Sequence, residues 1–156
     1  EKAFSLETIF IPNVDPFTMV DSRVGLEPGV AYLAAERATA KDVLRLKGCL
    51  ERIAKAIGKG DRTGYAEADV QFHLGIAKST QNEIIVHSIS SLVDVLKKPL
   101  WQAMKEGLNQ VEISRIRIQE HKAIFEAIQA GDKELAASRM REHLLSSKER
   151  FLHEIE

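Results

Sequence analysis

The sequence predicts an all-α fold, an antiparallel bundle of about six or seven helices. Apolar residues recur at three- and four-residue spacing along almost the whole chain. No stretch alternates apolar and polar residues as a half-buried strand would. The candidate helices are separated by short connections, which place consecutive helices antiparallel.

A single domain fits the 156 residues of the chain, because domains commonly run to roughly 100–200 residues. Residues 1–14 show no sustained period and are predicted to be a linker or lead-in segment. Residues 15–156 are predicted to form the helical domain.

The first helix is predicted to begin at Asp15-Pro16, with Asp as the N-cap and Pro at the first helical position. A bend is expected near Gly25 and Pro28. The positions expected on its stripe are Met19, Val20, Arg23, Leu26, Leu33 and Ala34. Arg23 therefore interrupts an otherwise apolar stripe.

Local signals place the next two helices. Thr39 and Asp42 resemble a capping box at the start of the second helix. Gly58 and Gly60 close it, since glycine accepts the left-handed conformation at a helix end. A third helix is predicted over about 62–78.

The second half of the chain predicts three more helices. Asn82 is typical of an N-cap for the fourth, which Pro99 should break or bend. A fifth is predicted over about 110–130. Gly131-Asp132 should end it and cap a sixth, which extends nearly to the C-terminus.

Four metal-competent side chains are predicted to face the interior of the bundle. Asp69 and His73 are four residues apart, so they project from one face of the third helix. His121 and His143 share faces with apolar residues on the fifth and sixth helices. A buried carboxylate needs a partner, and one divalent ion would satisfy all four groups. Imidazole and carboxylate ligands suit zinc, our first expectation, or nickel, manganese or iron.

Each of these side chains also has a simpler interpretation. A single inward histidine is more often a hydrogen-bonded core residue than a ligand. Asp69 and His73 could form a plain Asp–His hydrogen bond. His87 and His153 have no carboxylate one turn away on an inward face and are not expected to be ligands.

Three arginines are candidates for binding an organic acid beside the metal. Arg23 lies on the inward stripe of the first helix, Arg117 is one turn before His121, and Arg150 is two turns after His143. The planar guanidinium suits carboxylates. Arg117 and Arg150 could instead face solvent or pair with neighbouring glutamates.

Composition and missing motifs exclude several classes. A net charge of −1 gives no basic footprint for nucleic acid. No signal peptide or membrane span is evident, and the single cysteine, Cys49, fits a small buried hydrophobe in a reducing cytoplasm. His-Glu-x-x-His, Walker and Gly-x-Ser-x-Gly motifs are absent. We therefore expect no catalytic residues and no enzyme.

The chain resembles the FCD domain, the C-terminal effector-binding domain of GntR-type bacterial transcription regulators. Three segments carry the resemblance: residues 21–39, residues 69–82 with their Asp-x-x-Phe-His start, and residues 120–132 continuing to Met140-Arg-Glu-His143. The resemblance covers nearly everything after the lead-in segment.

The resemblance implies a metal held by Asp69, His73, His121 and His143, and an effector-binding role for Arg23. It implies a homodimer that binds DNA only through an N-terminal winged helix-turn-helix domain, which is absent from this chain. The expected function is sensing of a small carboxylate effector. A mononuclear metal enzyme and a metal-free helical interaction module remain alternatives at this point.

Overall fold

A computed structural model describes residues 14–94 and 111–153 of the chain. These residues form six helices and no strand, so the predicted all-α fold is confirmed. The helices are α1 (Pro16–Arg37), α2 (Ala40–Lys59), α3 (Arg62–Lys78), α4 (Glu83–Asp94), α5 (Val111–Gln129) and α6 (Lys133–His153).

Both neighbouring helices and the two ends of the chain pack together in the bundle. α1 packs mainly against α6, α2 against α3, and α5 against α6. α1 also contacts α3 and α5, so it lies beside the three helices that carry the predicted ligands. The apolar interior is continuous and includes Leu46, Phe72, Ile76, Ile89, Ile124, Ile128, Met140 and Leu144.

Short polar side chains fix the helix starts as predicted. The Asp15 carboxylate accepts hydrogen bonds from the backbone N–H groups of Phe17 and Thr18. Asn82 and Asp132 cap α4 and α6 in the same way. Gly60 and Gly131 take the left-handed conformation after α2 and α5, with φ of 65° and 70°.

α1 differs from the prediction in its inward face. The helix runs unbroken from Pro16 to Arg37, with Pro28 inside it. Leu26, expected on the inward stripe, is 53% exposed, while Glu27 is buried. The prediction for Leu26 was wrong because Glu27 is the residue that points into the bundle, where it contacts His73 on α3.

Asp42 joins the start of α2 to the turn between α3 and α4. Its carboxylate accepts hydrogen bonds from the backbone N–H and hydroxyl of Thr39, from Arg45 and from the side-chain amide of Gln81. Burial raises the pKa of Asp42, but the bonds from Thr39 and the Arg45 charge outweigh it and lower that pKa.

We expect Asp42→Ala to lower the free energy of unfolding by about 2 kcal/mol at neutral pH, because it removes half of a capping box and leaves Gln81 without its acceptor. A carboxyl whose pKa is lowered by folding stabilises above its unfolded pKa and loses that effect as the pH falls through its folded pKa. The difference between parent and variant should therefore shrink below about pH 4. Urea unfolding across pH measures it.

A matched control for Asp42 is Asp132, an exposed cap whose carboxylate receives a single backbone hydrogen bond, from Leu135. Asp132→Ala should cost about 1 kcal/mol. Equal losses for the two variants would contradict a special role for the Asp42 network.

Two smaller predictions have direct outcomes. Cys49 is buried, as expected for a small hydrophobe, and burial raises the pKa of its thiol. Over the described residues, no helix is both long enough and apolar enough to cross a membrane. Residues 1–13 of the predicted 1–14 lead-in, Pro99 and the side chain of His153 lie outside the described residues and side chains.

Candidate metal centre

The structure brings together the four side chains that the sequence singled out as ligands. Asp69, His73, His121 and His143 are all buried, and one ligand atom from each lies within 4.8 Å of the others. α3 contributes two of them because positions four apart share a face. α5 and α6 contribute one imidazole each.

Each of the three imidazoles has its Nδ1 occupied by an acceptor. Glu27 accepts from His73, and Glu120 accepts from His143 at 2.9 Å. The backbone carbonyl of Arg117 accepts from His121 Nδ1 at 2.7 Å. Metal-binding histidines have this arrangement, in which the second ring nitrogen is hydrogen-bonded and the first faces the metal.

The contact between the His121 ring and the Asp69 carboxylate limits which charges the two groups can carry. A carbonyl only accepts, so the contact with Arg117 places a hydrogen on Nδ1. Nε2 of the same ring lies 2.7 Å from Asp69 Oδ1. A neutral imidazole would set its lone pair against an ionised carboxylate there. A positive charge is needed at this contact, either a proton or a metal ion shared by both groups.

The surroundings of His73 independently indicate that this residue could coordinate a metal ion. Its Nε2 is buried and makes no hydrogen bond to any residue that the structure describes; Asp69 Oδ1 is 3.7 Å away. Buried polar atoms almost always have partners. A divalent cation coordinated by Nε2 would provide one, so the donor set fits a metal ion of the zinc type.

Burial and charge shift the pKa values of His143 and His73 in opposite directions. Burial, with the neighbouring His121 ring, lowers the pKa of His143 to about 3, so this ring is ready to coordinate. Burial also opposes charge on His73, but the Glu27 carboxylate outweighs it and raises the pKa of His73. A metal ion must therefore compete with a proton at His73.

Two glutamates that sequence reasoning missed complete the surroundings of the centre. Burial raises the pKa of Glu27, yet the charges of Arg23 and His73 lower it to about 2. Glu120 behaves alike: hydrogen bonds from His143 and Arg150 overcome its burial and lower its pKa to about 2. Both carboxylates are thus held ionised.

The signals for these glutamates were local and weak. Glu27 follows Arg23 by four residues, which is the spacing of a helical ion pair. Glu120 immediately precedes His121 in the chain. Neither spacing reveals that the carboxylate reaches a histidine on a different helix.

The three candidate arginines have different surroundings. Arg23 is buried and paired with Glu27, and Arg150 makes two hydrogen bonds to Glu120, at 3.1 and 3.2 Å. Arg117 is half-buried, with its guanidinium 5.2 Å from the centre of the Tyr65 ring. Arg117 makes no ion pair with a carboxylate among the described residues.

Of the two histidines excluded from the ligand set on sequence grounds, His87 has a side chain that the structure describes. His87 is exposed on α4, away from the cluster. Its outward position agrees with the lack of a carboxylate one turn away on an inward face.

Comparison with known proteins gives a consistent family. The model of the FCD domain matches residues 18–146. The Uxu operon regulator of Haemophilus influenzae is 31% identical over 148 residues, which cover 94% of this chain and 55% of that protein. The galactonate operon transcriptional repressor of Escherichia coli is 33% identical over 141 residues, covering 88% and 57%. The chain thus spans just over half the length of these regulators.

A solved structure supports the same fold. Escherichia coli McbR/YncC superposes with a TM-score of 0.80 at 23% identity, covering 94% of this chain and 69% of that chain. The two sequence relatives are transcription regulators, in keeping with the expectation of a regulatory domain and not an enzyme. With its family model matched across most of the described helices, the chain belongs to the FCD domain family of GntR-type transcription regulators.

Proposed function

We propose that this domain senses a small carboxylate beside a divalent metal ion held by Asp69, His73, His121 and His143. The observation that carries the proposal is the convergence of four buried ligand atoms within 4.8 Å. The Nδ1 contacts of the three rings leave each Nε2 to coordinate. We propose zinc as the metal, with nickel, manganese or iron as alternatives.

The arginines support a carboxylate as the effector. Arg117 has no competing carboxylate among the described residues, so it is the first candidate to bind the acid. Arg23 and Arg150 donate some of their N–H groups to Glu27 and Glu120, and their other N–H groups could bind an effector. The name of the galactonate repressor points to the same chemistry, because galactonate is a hydroxylated carboxylate. We propose a sugar acid, hydroxy acid or keto acid.

The wider biology is part of the same proposal. A homodimer in the cytoplasm would bind DNA through a separate N-terminal winged helix-turn-helix domain, in keeping with the family. The effector would change DNA affinity only through its different affinity for two states of the regulator.

The first test is the metal content of protein purified without an affinity tag. We expect about one zinc per chain, and its loss in His121→Ala, because a four-ligand site loses a quarter of its donors. His87→Ala is the matched control, since His87 is exposed and should keep the metal. A parent that takes up no zinc, nickel, manganese or iron would refute the metal centre and leave the metal-free module.

The second test is calorimetry of zinc-loaded protein with a panel of hydroxy, keto and sugar acids. At least one acid should bind, and Arg117→Met should weaken that binding by about tenfold or more through loss of a charged hydrogen bond. Arg115→Met on the same helix is the control, because Arg115 is exposed. If no acid binds, the carboxylate sensor is wrong.

A further inference from the structure

Two relays of the same chemistry, one buried and one partly buried, join arginines to the metal centre. In the first, Arg23 Nε donates to Glu27 Oε1, and Glu27 Oε2 accepts from His73 Nδ1. In the second, Arg150 donates to both oxygens of Glu120, and Glu120 Oε2 accepts from His143 Nδ1. In each relay the residues follow one another toward the proposed metal in the order arginine, glutamate, histidine.

We infer that Glu27 and Glu120 are positioning residues for the metal, each holding one imidazole in the tautomer and orientation that turn its Nε2 to the ion. This inference rests on the proposed function, because it assigns roles around the same site. An ionised carboxylate can only accept a hydrogen bond. Its contact with Nδ1 therefore places the hydrogen there and leaves the Nε2 lone pair for coordination.

The arginines make these carboxylates possible in the interior. Glu27 is 2% exposed, and a carboxylate so deeply buried requires a positive partner. Arg23, also buried, supplies it. Arg150 does the same for Glu120 and is itself fixed by the hydroxyls of Ser146 and Ser147, at 2.6 and 3.1 Å.

The relays also set the charge around the cation. Asp69, Glu27 and Glu120 carry three negative charges, and Arg23 and Arg150 carry two positive ones. The inner groups are thus net negative, which favours a dication. Neutralising either glutamate would leave its arginine uncompensated near the ion and oppose binding.

His121 provides an internal contrast. Its Nδ1 is held by the main-chain carbonyl of Arg117, which no side-chain substitution removes. Substitution of Glu27 should therefore disturb His73, and substitution of Glu120 should disturb His143. His121 should stay unchanged in both variants.

The test combines zinc affinity with imidazole tautomers. Competition with a chromogenic chelator should show zinc binding weakened about 10–100-fold in Glu27→Gln and in Glu120→Gln. Glu126→Gln is the matched control, because Glu126 is an exposed α5 residue paired with Lys122, and it should bind zinc as the parent does. Unchanged affinity in both glutamate variants would overturn the inference.

Nitrogen-15 NMR of the metal-free protein, at a pH where the rings are neutral, separates positioning from a general loss of structure. The parent should show the Nδ1–H tautomer for His73 and His143, and each variant should lose it at its own histidine alone. The Nε2–H tautomer at these two rings in the parent would overturn the inference, even if the variants failed to fold. A parent that binds no zinc would instead refute the proposed metal site, while the tautomers still test the relays.

Discussion

Asp69→Ala should remove most of the stabilisation that zinc gives to this domain. Asp69 is the one carboxylate among the four converging ligands, and its Oδ1 lies 2.7 Å from His121 Nε2. Four-ligand zinc sites contribute about 10–16 kcal/mol, so losing one donor should cost on the order of 3 kcal/mol. That corresponds to more than about a hundredfold in Kd.

Thermal unfolding with and without zinc measures this effect. Zinc at about a thousand times its Kd should stabilise the parent by about 4 kcal/mol, and a chelator should reverse the gain. The variant should keep only about 1 kcal/mol of it at the same zinc concentration. Comparing the zinc-dependent increment cancels any change in the stability of the metal-free fold.

Asp21→Ala is the control for Asp69→Ala, because Asp21 is an exposed residue whose partner is Lys148. It should keep the full response to zinc. A zinc-dependent increment in Asp69→Ala equal to that of the parent would rule out Asp69 as a ligand.

The helix bounds could be predicted from the sequence because they depend on neighbouring residues. Thr39 and Asp42 form the capping box with each other, within one turn. Asp132 caps α6 through a backbone N–H three residues away. Such signals do not require knowledge of any other helix.

The convergence of the four metal-competent side chains could also be anticipated, since each shares a helical face with apolar residues. The contacts of the side chains that surround these four residues could not be anticipated. The helical period of α1 allows either Leu26 or Glu27 to face the interior. Glu27 is buried because it meets His73 from α3 and Arg23 from its own helix. Contacts with other helices decide which of the two residues is buried, and the periodicity of the sequence does not reveal those contacts.

The arginines show the same limit. Arg150 lies near the four converging side chains through its contact with Glu120, which is on α5, thirty residues earlier. Arg117 acts on His121 through its backbone carbonyl, a contact that side-chain chemistry does not suggest. Local spacing therefore finds the helix face, and packing between helices decides each partner.

Phe72→Ala should give the largest loss of stability that we expect from a single core substitution, about 3–5 kcal/mol. Phe72 is fully buried, with 0% exposure. Its ring meets the rings of His73 and His121 edge-on, with centroids 5.9 and 5.2 Å apart. Urea unfolding of the metal-free protein measures the loss, and Phe17→Ala, at a residue 36% exposed, is the control.

The same substitution should also weaken zinc binding, because Phe72 packs against two ligand rings from different helices. Phe72→Leu keeps most of the buried volume and should restore most of the stability. If the aromatic ring orients the imidazoles, Phe72→Leu should still bind zinc more weakly than the parent. Parent-like zinc affinity in the leucine variant would mean that Phe72 only fills the core, and that the Nδ1 contacts alone orient the histidines.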